Sequence, residues 1–199
     1  EVAKMRTILA DEKNISRALI PLRIACKQTQ ITAPYMSVFH NAYNSRIACF
    51  FHQGFNCAQS VFAAFAAEMG LPEDAALRIP SAFGAGLGRM RRTCGAFAGL
   101  ALVAGFKHGN LTGEPADKER IFQLTRQLAE AFRAEFGSLQ CRELLHLLEN
   151  AQEGARPNER TAAYYATRPC GRCVAFCAAK AAFIEESAKV STNVLDVTL

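Results

Sequence analysis

One stretch, residues 84–99, restricts the fold more than any other part of the chain. It reads Gly-Ala-Gly-Leu-Gly-Arg-Met-Arg-Arg-Thr-Cys-Gly-Ala-Phe-Ala-Gly. Glycine costs backbone entropy and reaches positive φ, so Gly84, Gly86 and Gly88 rule out a regular element there. Arg89, Arg91 and Arg92 follow. Thr93 is then expected to cap a helix whose first residue is Cys94. Gly95 and Gly99 lie four apart on one face of that helix, where small residues let another backbone or a cofactor come close. A cysteine at a helix start, beside positive charge, is expected to hold a thiolate.

The remaining pattern is helical. Residues 41–53 carry Ala42, Ile47, Ala48, Phe50 and Phe51 at helical spacing, and Gly54 ends the segment. Asn56 is a good cap for a second helix, with Cys57 in its first turn and Val61, Phe62, Phe65 and Met69 as its buried stripe. Pro72 opens a short helix headed by Glu73 and Asp74, which suit the helix dipole. Residues 94–108 are almost wholly apolar, the mark of a helix central to a bundle. Residues 116–136 form the clearest amphipathic helix, with Ile121, Leu124, Leu128, Phe132 and Phe136 on one face. Ser138 is expected to cap a helix with Cys141 in its first turn. Residues 149–160 read as a loop, and Pro169 stands at the start of a last helix over 170–186. No alternating strand pattern runs beyond a few residues. The expected class is all-α: a single-domain bundle of five or six helices with short loops. Residues 1–40 read as an N-terminal extension, 41–187 as the domain and 188–199 as a C-terminal tail.

Composition narrows the function. The net charge of +5 is modest and forms no basic stripe, so nucleic acid is not an expected partner. The longest apolar run, residues 94–106, falls short of the ~20 residues that span a bilayer. No signal peptide or twin-arginine start is visible, and the expected location is the cytoplasm. Eight cysteines in 199 residues is a high count for a chain too large to be a disulfide-stapled miniature, so metal or redox chemistry is the stronger reading.

Cys57, Cys94, Cys141 and Cys170 are each expected in the first turn of a helix, with Asn56, Thr93, Ser138 and Thr167 as caps. A helix N-terminus carries about half a positive charge, which favours a thiolate. Four such ends meeting at one point would gather four thiolates, the set that iron–sulfur clusters and tetrahedral zinc require. The separations of 37, 47 and 29 residues call for four different helices. Cys173 forms a CxxC with Cys170, and Cys177 follows one turn on as a small buried side chain; Cys26 and Cys49 read the same way. Arg89 is expected to point inward. His40, His52, His108 and His146 show no ligand-like spacing.

Residues 54–59 (Gly-Phe-Asn-Cys-Ala-Gln), 94–99 (Cys-Gly-Ala-Phe-Ala-Gly) and 136–144 (Phe-Gly-Ser-Leu-Gln-Cys-Arg-Glu-Leu), with a late cysteine, resemble the C_GCAxxG_C_C family of redox-active proteins. The resemblance covers about residues 41–187. It implies that the family's four cysteines fall on Cys57, Cys94, Cys141 and Cys170, with Cys173 as the alternative fourth. It also places Arg89 and Arg142 in matching motifs.

The first expectation is therefore an iron–sulfur protein, [2Fe–2S] for preference, exchanging electrons with a redox protein partner. Its ligands would be the four cysteines, and Arg89, Gly95 and Gly99 would border the cofactor. A second expectation is a metal-free thiol–disulfide switch in which Cys94 attacks and Cys57 or Cys141 resolves. A third is a structural zinc clamp. Residues 1–30 could pair across a homodimer.

Overall fold

A computed structural model describes residues 42–148 and 154–194. The expected N-terminal extension, its dimer contact and Cys26 lie outside the described residues. Among the described residues there are eight α-helices and one 3₁₀ turn, and the only β contact is an isolated antiparallel bridge between Thr93 and Gln140. The class is all-α, as expected. Five helices have seven residues or more: α1 (Ala42–His52), α2 (Cys57–Ala63), α4 (Gly95–His108), α5 (Pro115–Phe136) and α8 (Cys170–Val194). Three are short: α3 (Glu73–Arg78), α6 (Cys141–Leu144) and α7 (Ala162–Thr167). The periodicity of the sequence missed α7, a segment of about one and a half turns. Helix α8 continues to Val194, past Ser187 where the tail was expected to begin.

Helix α4 is the hub. It packs on α2, α5 and α8, while α1 closes the far side against α2 and α8. Its contact with α2 is close because Gly99 has no side chain: a Cβ there would lie 2.8 Å from the Ala58 carbonyl oxygen and 3.0 Å from Val61 Cβ. Phe62, Phe65, Ile47, Leu100 and Phe132 are fully buried around this hub. Phe132 carries the apolar stripe of α5 into the core, with edge-on contacts to Phe97 and Phe176 at ring separations of 5.8 Å each. Aromatic pairs of this kind stabilise by about 0.5–1.5 kcal/mol beyond the area they bury. The all-round apolar character of α4 does not translate into all-round burial. Ala98, Ala101 and Leu102 are half-buried, and Gly105 and Phe106 are exposed.

Candidate functional site

The expected helix caps hold at one cysteine of four. Asn56 caps α2 with its side chain, accepting from the Ala58 and Gln59 amides at 3.0 Å each, and Gln59 returns the bond to the Asn56 amide. Asn56 Nδ2 also donates to the Ser81 carbonyl at 2.8 Å, which ties Cys57 to the start of the glycine loop. Elsewhere the caps differ. Cys94, not Thr93, is the cap residue of α4, because Thr93 is held extended in the bridge to Gln140. Gln140 precedes α6, and Ser138 instead hydrogen-bonds Glu143 and accepts from the Gln140 amide. Thr167 ends α7, where its hydroxyl donates to the Ala163 carbonyl at 2.9 Å.

The glycine loop does more than interrupt regular structure. Residues 85–89 all have positive φ, from 53° to 77°, and Arg91 has φ 58°. This left-handed turn costs about 1–2 kcal/mol for each of its non-glycine members. It is held by backbone bonds that cross the loop, Gly88 N to Ala82 O at 2.7 Å and Arg92 N to Gly86 O at 2.9 Å. At Gly86, φ +77°, a Cβ would stand 2.7 Å from both the Arg92 amide and Cys141 Cβ, so only glycine fits.

The loop then pairs with the segment before α6. Cys94 N donates to Leu139 O at 2.7 Å, and Cys141 N donates to Arg92 O at 2.6 Å. These bonds place Cys94 beside Cys141 despite their distance in sequence. Gly95 admits Cys57, since a Cβ there would land on Cys57 Sγ. Helix α8 adds Cys170 and Cys173 from its first turn. Cys57, Cys94, Cys141, Cys170 and Cys173 thus line one cavity of about 60 Å³. That is a few times the ~15 Å³ a single water needs. The described cysteines are all free thiols. Cys177 is buried one turn further along α8 and does not line the cavity, and Cys49 is buried in the core, accepting from Gln53 Nε2 at 3.2 Å.

Two expected neighbours of the site stand elsewhere. Gly95 borders the cavity, but Gly99 sits at the α2–α4 contact. Arg91 is the arginine of this loop that lines the cavity: it is 4% exposed, and its Nη1 donates to Cys141 Sγ at 3.9 Å. Arg89 is half-buried, with its Nε buried, and does not line the cavity.

Sequence reasoning missed Arg160, Tyr164 and Arg168, which close the cavity on another side. Arg160 donates to the Phe51 and Phe55 carbonyls at 3.2 and 3.1 Å, and it stacks on Phe51 and Tyr164 at 5.0 and 5.1 Å. Arg168 lies 4.4 Å over Tyr164. No local signal marks them, since Arg160 reaches residues more than a hundred positions away.

The helix starts do not hold thiolates in this arrangement. Burial pushes the Cys57 thiol up to about 11, helped by the neighbouring Cys94, although amides of Ala85 and Ala58 oppose the shift. Burial, then Cys94 and Cys57, lift Cys141 to about 11 against the opposing Arg91. Burial and the surrounding sulfurs lift Cys170 to about 12. Cys94 is raised well above the ordinary thiol range, first by its hydrogen bond with Cys173 and then by burial. Desolvation outweighs the helix dipole here. Among the described residues, no three Cys, His, Asp or Glu side chains form a ready site for a single metal ion.

Fold and cavity together define a helical protein that gathers thiols from four separate elements. The family model described as "Putative redox-active protein (C_GCAxxG_C_C)" matches residues 55–184, and the chain belongs to that family. No curated protein and no solved structure matches it. Among the described residues, no helix is long and apolar enough to cross a membrane.

Proposed function

We propose that the thiol cavity is a redox centre holding an iron–sulfur cluster, [2Fe–2S] for preference, for electron exchange with a redox protein partner. The observation that carries this reading is the convergence of five free thiols from α2, α4, α6 and α8 on one cavity. The donor set suits such a group: sulfur dominates, and among the described residues no carboxylate or imidazole borders the cavity. Cys57, Cys94, Cys141 and Cys170 would be the ligands, with Cys173 as the alternative fourth. A bound cluster would supply one-electron transfer. The protein's part is to orient the sulfurs and to set their electrostatics. The Ala85 and Ala58 amides at Cys57, and Arg91 at Cys141, donate hydrogen bonds to sulfur, which tune a cluster's potential. Each ligand thiol must give up its proton, so loading releases protons and strengthens as pH rises.

Protein purified without oxygen should be brown, with iron and acid-labile sulfide in equal amounts of about two per chain for this cluster type. A colourless, iron-free sample after anaerobic reconstitution would overturn the reading, and one zinc per chain without sulfide would replace it with the structural clamp.

The hydrogen bond between Cys94 and Cys173 favours a second reading, thiol–disulfide exchange without metal. Here the two thiols would form one disulfide and yield two protons and two electrons to an acceptor disulfide, which becomes two thiols. The resolving partner is then Cys173 rather than Cys57 or Cys141. Equilibration of metal-free protein in dithiol buffers should give a two-electron transition that a Cys173→Ser variant abolishes; an unchanged transition in that variant would rule the pair out.

A further inference from the structure

A second cavity among the described residues is larger than the thiol pocket. A groove of about 570 Å³ runs along the exposed face of α4, within the ~300–1,000 Å³ typical of small-molecule sites. Ala98, Ala101 and Gly105 share that face, and a Cβ at Gly105 would meet nothing within 4 Å. The helix thus presents small residues as a flat floor to the groove. Phe83, half-buried, and Phe106, exposed, supply aromatic walls, while the buried Phe62 and Phe97 back the groove from the core. Ile79, Leu87 and Phe106 stand at the rim, 48%, 42% and 48% exposed, an unusual concentration of large apolar side chains in solvent. One end is polar. There Thr93 offers a hydroxyl, and Arg92 brings a guanidinium with no ion-pair or hydrogen-bond partner among the described residues.

We propose that this groove binds a small planar aromatic anion, such as an aromatic carboxylate or sulfonate. The ring would lie on the Ala98–Gly105 floor between the phenylalanines, and its anionic oxygens would face Arg92 and Thr93. A flat floor and aromatic walls fit a ring, and the exposed cation at one end selects its charge and orientation. Arg92 and Thr93 end the groove, and the next residue, Cys94, lines the thiol cavity. An occupant would thus lie across the first turn of α4 from the sulfurs. Binding itself depends on no metal and no redox step.

The test uses the full chain and two probes, 8-anilinonaphthalene-1-sulfonate and the uncharged N-phenyl-1-naphthylamine, followed by fluorescence titration. The wild-type chain should bind the sulfonate saturably with one site per chain. Gly105→Leu fills the floor and improves helix propensity, so it should fold, as circular dichroism will show, and weaken both probes at least about tenfold. Arg92→Gln should weaken the sulfonate about tenfold and leave the neutral probe within about twofold, as expected for one lost charge-assisted contact. Non-saturable binding, or equal affinity in wild type and Gly105→Leu, would overturn the proposal. So would self-association in ultracentrifugation that Gly105→Leu abolishes, which would give the groove to a second copy of the chain.

Discussion

Helix α5 and residues 84–92 both border α4, and they are built in opposite ways. Helix α5 is 22 residues of regular helix, started by Pro115 and ended at Gly137 in the left-handed region. Its periodic stripe places Leu128, Ala129 and Phe132 in the core, and it contributes no residue to the thiol cavity. Residues 84–92 run through consecutive left-handed conformations and bury an arginine. Their partners are distant, with Arg91 and Arg92 carbonyls accepting from Arg142 and Cys141. The helix is specified by a local periodic pattern, and its stripe is then stabilised by packing on α4 and α8. The loop is strained locally and stable only because long-range contacts over-determine it, the arrangement expected where chemistry is done.

The largest effect that would sharpen this contrast is alkaline destabilisation of the metal-free protein. Cys57 and Cys141 sit near 11 and Cys170 near 12, against an ordinary 9.0. A raised folded-state value means the stabilisation is whole below the unfolded value and is lost as pH climbs through the folded ones. Urea melts should therefore lose several kcal/mol between about pH 9 and 12. Stability flat across that range would break the account of the buried thiols. Next, Phe132→Ala on α5 should cost about 3–5 kcal/mol in denaturant melts while the cysteine alkylation pattern under native conditions stays as in wild type. A changed pattern would mean the helix does shape the site.

Gly86→Ala should cost about 2–3 kcal/mol, from left-handed strain plus overlap with Arg92 and Cys141, and should speed alkylation of Cys141. Gly105→Ala, in open space on α4, should instead stabilise by about 0.5–1 kcal/mol. Equal effects at the two glycines would contradict the strained loop. The smallest effect is Asn56→Ala, about 1 kcal/mol for a lost cap, measured by thermal melting alongside the Cys57 labelling rate.

The same contrast explains what was legible in the sequence. Helix α5, the Asn56 cap and the cysteine-bearing helix starts follow from local rules, so period and punctuation sufficed. Gly95 was legible as a place of close approach, though not that its neighbour would be Cys57 Sγ. That Arg91 lines the cavity was not legible, because both Arg89 and Arg91 sit at positive φ in a loop whose path non-glycine residues rarely adopt. Thr93 failed as a cap because a bridge to Gln140, remote in sequence, competes for its backbone. Arg160 depends on Phe51 and Phe55 carbonyls far up the chain, and the elevated thiols depend on burial, which spacing does not encode.

The most direct test of the shared cavity is gentle oxidation of the reduced, metal-free chain under native conditions, followed by peptide mapping of the disulfides. Among the described cysteines, bonds should form within one chain and only among Cys57, Cys94, Cys141, Cys170 and Cys173, with Cys49 left as a thiol. If Cys57, Cys94 and Cys141 paired only between chains, or stayed reduced while Cys49 reacted, the sulfurs would not share a pocket.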